Sequence, residues 1–385
     1  MDDLTIFLNF LKNKKCTLLG VGPMSKNCVD VVIDLANRYD IPIMLIASRR
    51  QIESVELGKG YVNNWSTEEF SKYVNQKNPK HNVILCRDHG GPYQNENENK
   101  QKISFNKIME NTKKSFRTDI KSGFKIIHID PSNDLTSEIT LDEMLRRIFE
   151  LYEYCYEVSK ELKNEIFIEV SIGKEDGGIS TLSEIKYTVF QIEKFCNQKN
   201  LPLPLFLVVR TGNHVMEMKN VGIFEDILSK KIPDEELKLK EIVDFCNSKK
   251  IMIKVHNGDY LSDSALKSHL EFGFHAMNVA PEFGVLETKA ILSWLSKNNL
   301  EEFKEKILDI AYESQKWEKW ILPNSVLERN EKAVIAGHYV FSNEKFIKLK
   351  TEILNQIENK NDFDNFLKDE IRNGIMRYLF NFNLI

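Results

Sequence analysis

The stretch "VILCRDHGGPYQNE" (83–96) runs from apolar residues into an adjacent Asp88 and His89, then breaks at Gly90, Gly91 and Pro92. An imidazole beside a carboxylate at the end of an apolar run suits one chemistry in particular. The imidazole can ligate a metal while the carboxylate moves a proton. The plainer alternative is a strand end carrying two incidental polar residues. Similar placements recur along the chain. His128 and Asp130 close "FKIIHID" (124–130), and Glu169 lies in "EIFIEVSI" (165–172), ahead of Glu175 and Asp176. Arg210 closes "LFLVVRT" (205–211) with His214 just beyond, and His256 closes "KIMIKVH" (250–256), three residues before Asp259. Asn278 lies in "FHAMNVA" (274–280), with Glu282 after it. Four of the eight histidines, His89, His128, His214 and His256, therefore stand at ends of apolar runs. Three neutral imidazoles around an open position are a common catalytic zinc arrangement. At this level any three of the four would serve.

The elements that must position these residues are legible as a repeat. The runs just named, with "CTLLGVG" (16–22), "IPIMLIAS" (41–48) and "NVILCRD" (82–88), make eight short apolar segments. Such runs suit strands buried on both faces. Between them lie segments with apolar residues at three- and four-residue spacing, such as "LDEMLRRIFELYEYCYEVSKELK", which predict helices. Strand and helix alternating eight times predict a (β/α)8 TIM barrel, whose chemistry sits at the C-terminal ends of its strands. A doubly wound open sheet is the rival. It is disfavoured because "GVGPMSKN" after the first run lacks the GxGxxG spacing. After residue 286 the pattern is helical throughout. The expected division is a barrel over 1–300 carrying the metal site and a helical C-terminal extension over 301–385, which could cap the barrel or join subunits.

Composition narrows the classes. Lys+Arg 53 against Asp+Glu 57 gives a net charge of -4, so no basic excess points to nucleic acid. Six scattered cysteines form no CxxC pair, as expected of a reduced, intracellular chain. The first residues lack signal-peptide features, and no run of about 18 apolar residues predicts a membrane span. The expected location is the cytoplasm. Arg49, Arg50, Lys125, Arg210 and Lys254 could each bind phosphate or carboxylate, and at most two are expected to do so.

With these residues in place, the chain resembles the tagatose-bisphosphate aldolase subunit family of the type usually called non-catalytic (GatZ/KbaZ-like), within the class II, metal-dependent aldolase superfamily. The resemblance rests on "RDHGGP" (87–92), "GFKIIHIDPS" (123–132), "VHNGDY" (255–260), "NVAP" (278–281) and "RYLFNF" (377–382), in that order. Catalytic class II aldolases are a more distant likeness. That likeness implies His89, His214 and His256 as ligands of Zn2+ or another divalent metal. It implies Asp88 as the group handling the proton on the substrate C4 oxygen, and Glu175 as the one moving the proton at the nascent carbon. Asp130, Glu169 and Asn278 match positions at the aldolase site. With Arg210, Asp259 and Glu282, they are the expected substrate contacts.

The likeness has departures. "HNGDYLSDS" stands where catalytic aldolases carry a Gly- and Ser-rich phosphate loop. Ser171 stands where they carry a second acid, and Glu282 where the subunit family usually lacks one. The implied activity is retro-aldol and aldol chemistry at C3–C4 of a ketose or ketose phosphate, as a lyase or as a 4-epimerase. The alternatives are a helper subunit stabilising a separate catalytic aldolase chain, or a sugar-binding barrel without metal. The expected partners are the sugar substrate, such an aldolase subunit and further copies of the chain, with neither nucleic acid nor membrane among them.

Overall fold

A computed structural model describes residues 3–101, 103–134, 138–173, 177–357 and 360–385. All eight apolar runs form strands. In chain order they are β1 (Leu18–Val21), β2 (Ile43–Ser48), β3 (Val83–Gly90), β4 (Ile126–Ile129), β5 (Phe167–Val170) and β6 (Phe206–Val208). A short hairpin, β7 (Val215–Met216) and β8 (Lys219–Asn220), precedes β9 (Met252–Val255) and β10 (Ala276–Val279). The eight long strands close a parallel barrel in the order β1-β10-β9-β6-β5-β4-β3-β2. The chain is therefore a TIM barrel with extra C-terminal helices.

Side-chain chemistry explains where the helices begin. Ser25, Ser66, Ser104, Thr140, Thr181 and Ser262 each cap a helix by accepting a backbone N–H of its first turn. Such a cap contributes about 1 kcal/mol. Helix Leu141–Leu162 buries Leu145, Ile148, Leu151, Cys155 and Val158, the apolar stripe its spacing predicts.

The helical extension is not a detached appendage. Its helices Glu301–Glu313, Arg329–Val340 and Glu344–Asn355 build a second apolar cluster on helix Pro281–Lys297. The last helix, Lys360–Asn381, then returns Ile371, Ile375, Tyr378 and Leu379 to the barrel core. Among the described residues, no helix is long and apolar enough to cross a membrane. All six cysteines are free and buried.

Buried His269 gives the fold a pH dependence. Its ring packs at 4.2 Å from Phe224 and 5.4 Å from Phe274, and its Nδ1 lies 2.8 Å from the Ala265 carbonyl. Burial pushes the imidazole down to about 4. The unfolded chain takes up that proton near pH 6.5, well before the folded chain does. The stability tied to this group is therefore complete above about pH 6.5 and is lost as pH falls toward 4. Urea unfolding at pH 7.5 and 4.5 should show His269→Gln losing roughly 2 kcal/mol less over that interval than the parent. Equal losses in the two proteins would refute the assignment.

Candidate metal centre

β3 does not run straight to its end. Its register against β4 shifts between Arg87 and Gly90, and His89 takes a left-handed backbone conformation (φ 41°). A bulge of this kind re-aims side chains, and a non-glycine residue in that region is unusual enough to suggest function. The two glycines are needed for close approach. A Cβ on Gly91 would lie 1.9 Å from the Asp130 carbonyl oxygen, and one on Gly90 would lie 2.6 Å from that of His128. They let β3 press against the end of β4, so they do more than form an open turn.

The result is a polar group over the barrel's C-terminal end. Ligand atoms of His89, His128 and His256 lie within 4.8 Å of one another, and so do those of Asp88, His128, Glu169 and His256. The imidazole centroids are 5.2 to 5.5 Å apart. His89 Nδ1 lies 2.7 Å from Asp130 Oδ2, which also accepts from Gln94 Nε2 at 2.8 Å. With Nδ1–H donating to Asp130, His89 turns its Nε2 toward the group, the carboxylate–histidine arrangement that orients metal ligands. His256 Nε2 lies 3.1 Å from Glu169 Oε1, while Lys254 Nζ holds Glu169 Oε2 at 2.6 Å.

His128 is bound differently. The His89 backbone N–H donates to its Nδ1 at 3.1 Å, and its Nε2 lies 2.9 Å from Ser171 Oγ. Its lone pair is thus already engaged, and ligation would require that bond to open. Asp88 Oδ1 accepts from Asn278 Nδ2 at 3.0 Å. Asn278 Oδ1, tucked against Gly20, is buried and has no hydrogen-bond partner among the described residues.

The electrostatics follow from these contacts. Burial pushes the Asp88 carboxyl up, but His89 and the neighbouring imidazoles of His128 and His256 outweigh it and hold it far below the usual carboxylate range. Burial pushes His89 down, but Asp88 and Asp130 overcome it and lift the imidazolium to about 9. Glu169 is held at about 2, because Lys254 and His128 outweigh its burial. The Asp88, Asp130 and Glu169 carboxylates are thus held ionised by the imidazoles and by Lys254. The donor set of imidazoles and carboxylates suits a divalent ion such as zinc. Asp88, His89, His256, Asp130 and Asn278 line a cavity of about 570 Å³ that opens at this end of the barrel.

Several residues singled out in the sequence lie elsewhere. His214 is not in the group. It falls six residues past the end of β6, where its Cβ faces Gly177 and its backbone N–H is bound by Asn220 Oδ1 at 3.2 Å. The loop after β6 is long enough to carry it away, and His128 is the third histidine of the cluster instead. Glu175 and Asp176 lie outside the described residues. Arg210 lies against Gly173, with Glu184 3.7 Å from its guanidinium. Asp259 and Glu282 are tied to the chain itself, at the start of helix Pro281–Lys297.

Two of the expected anion-binding cations are also spent. Arg49 is buried against Glu53 (2.6 Å) and Glu98 (2.9 Å), and Lys254 is held by Glu169. The Lys254–Glu169 pair and the Ser171 contact were not foreseen. The signal for Lys254 was its position two residues before His256, on the same inward face of β9.

No family model matches the sequence, and no curated protein matches it in sequence. Solved structures do match its fold. A protein from Sinorhizobium meliloti 1021, described as a probable tagatose 6 phosphate kinase, superposes with a TM-score of 0.72 at 13% identity, over 95% of this chain and 100% of that one. A fructose-bisphosphate aldolase from Campylobacter jejuni superposes with a TM-score of 0.59 at 12% identity, over 100% of this chain and 96% of that one. The chain thus shares its barrel fold with these two proteins.

Proposed function

We propose that this protein is a divalent-metal-dependent, class II aldolase-like enzyme acting on a ketose or ketose phosphate at C3–C4, akin to the tagatose-bisphosphate aldolase subunit family. The supporting observation is a pair of overlapping groups at the barrel mouth, His89 with His128 and His256, and Asp88 with His128, Glu169 and His256. The sugar class draws on the sequence resemblance and on the names of the two structural neighbours, one described as a probable tagatose 6 phosphate kinase and the other as a fructose-bisphosphate aldolase.

His89 and His256 would hold the metal through imidazole nitrogens, with the Glu169 carboxylate completing the set and Asp88 left free as the base. A bound divalent ion supplies Lewis acidity toward a ketose carbonyl. The chain's own residues do the rest. Asp130 fixes the His89 ring. Asn278 Nδ2 orients Asp88. Asp88, ionised at neutral pH, accepts the proton of the C4 hydroxyl as the C3–C4 bond breaks, leaving its electron pair at C3 and an aldehyde at C4. Glu175 is the proposed proton donor to C3. Reclosure after rotation of the aldehyde inverts C4, so the same groups serve a lyase or a 4-epimerase.

A second reading rests on one observation: Asp259 and Glu282 occupy the helix N-terminus where a phosphate would otherwise be received. That favours a helper subunit of a separate aldolase. The deciding experiment incubates zinc-loaded protein with hexulose, hexulose phosphate and hexuronate substrates, scoring cleavage products and C4 epimers separately. Turnover by the chain alone supports the enzyme. Turnover only after addition of an aldolase chain supports the helper, and failure to retain metal defeats the first reading.

A further inference from the structure

If the cavity takes a sugar, as proposed above, a charged end of that sugar needs a place. In barrels of this kind phosphate is frequently received by the loops after the last two strands and a helix N-terminus. Here the chain fills that place itself. Asp259 Oδ1 accepts from the N–H groups of Ala280 (3.0 Å) and Glu282 (2.8 Å). Glu282 Oε2 accepts from the N–H of Tyr260 (2.6 Å) and from the Tyr378 hydroxyl. The N–H groups of Ala280, Glu282 and Tyr260 are thus already taken by the chain's own carboxyl groups and are not open to a further anion.

The same cavity has cations elsewhere on its wall. Arg50, in the turn after β2, and Lys319, in the short turn Glu318–Trp320 of the helical extension, both line it. Lys319 Nζ lies 5.1 Å from the ring centroids of both Trp320 and Tyr339, so its ammonium is placed by two aromatic faces. Arg50 Nε is buried with no hydrogen-bond partner among the described residues. The carboxylate that acts on both cations is Glu96, and Lys316 pairs with it at 2.5 Å. Three basic side chains therefore share one carboxylate, and burial and the neighbouring Arg50 push Lys319 down to about 7. The segment carrying Lys319 is clamped by the β7–β8 hairpin: the Glu217 N–H donates to the Trp320 carbonyl (2.9 Å), and Glu217 Oε1 accepts from the Leu322 N–H (3.2 Å).

We propose that Arg50 and Lys319 form a subsite for an anionic end group of the sugar, a phosphate monoester or a carboxylate. Its reacting carbons then lie toward Asp88, His89 and His256. The helical extension thereby becomes part of substrate selection. A guanidinium suits planar or bidentate anion recognition, and an ammonium adds a point charge.

Isothermal titration of the full chain tests this, comparing the parent with Arg50→Gln, Lys319→Gln and the double variant. The ligands are inorganic phosphate, a hexulose 6-phosphate, a hexuronate and an uncharged hexulose, each with added zinc and with chelator. The parent is expected to bind a charged sugar about tenfold or more tighter than the uncharged hexulose. That gap should fall to within about twofold in the double variant, with uncharged-hexulose affinity unchanged. Whichever charged sugar shows the larger gap identifies the group as phosphate or carboxylate. Absence of charge-dependent binding in the parent, or a gap surviving in the double variant, overturns the subsite. The chelator arm separates this from the metal reading: a gap that persists without metal and vanishes in the double variant upholds the subsite even if no turnover is found.

Discussion

His256→Ala, purified with added zinc, is expected to lose stoichiometric metal and to turn over substrate roughly 10³-fold more slowly than the parent. A metal Lewis acid is worth several kcal/mol in the transition state, and each 1.36 kcal/mol is a factor of ten. The variant should still fold, because Lys254 at 2.6 Å continues to neutralise the Glu169 carboxylate that His256 leaves behind. Metal content by mass spectrometry and far-UV circular dichroism read the two effects separately.

His214→Ala makes the comparison sharper. The sequence resemblance makes His214 a ligand, whereas in the structure it lies outside the group formed by His89, His128 and His256. Full metal content in His214→Ala, with loss in His256→Ala, upholds the cluster seen in the structure. Loss of metal in both variants upholds the ligand set implied by resemblance.

Asp119→Ala should be the most damaging change far from the chemistry. Arg87 and Asp119 are both fully buried and paired through two hydrogen bonds, at 2.8 and 2.6 Å. Arg87 Nη1 also donates to the carbonyls of Ala47 and Ile52, each at 2.8 Å. One guanidinium thus ties β3, helix Phe105–Lys121 and the end of β2 together. Removing the carboxylate strands a buried charge, which costs about 3–5 kcal/mol. Urea unfolding measures it, and a loss below about 1 kcal/mol would contradict the assignment. Replacing both partners, Arg87→Met with Asp119→Leu, should recover most of the loss, since a well-packed apolar pair is often as stable as a buried ion pair. Because Arg87 directly precedes Asp88, the single variant should also loosen the bulge that aims Asp88 and His89.

How far the sequence reached depends on the range of the interaction. The eight strands were legible because each is an uninterrupted apolar run, and burial on both faces is a local property of composition. The pairing of Asp88 with His89 and the strand-end position of His256 were legible for the same reason. Their carriers are strands, and a barrel directs strand ends to one mouth. The hairpin Val215–Asn220 was not legible, since its turn places Glu217 and Met218, neither of them glycine, in left-handed conformations. The roles of Arg49 and Lys254 were not legible either. An unpaired cation and a buried ion pair read alike until the partners Glu53, Glu98 and Glu169 are placed beside them.

The sequence by itself determined the barrel, its helical extension and the strand ends that carry polar residues, because periodicity and burial act over a few neighbouring residues. Only the tertiary structure decided which polar residues meet. It joined His128 to His89 and His256 and left His214 on its loop. It turned Asp259 and Glu282 onto the chain's own N–H groups, and it brought Lys319, 269 residues after Arg50 in the chain, to the same cavity. Those outcomes depend on a β-bulge, a hairpin clamp and a returning helix, where contacts far apart in sequence fix positions to within a hydrogen bond's length.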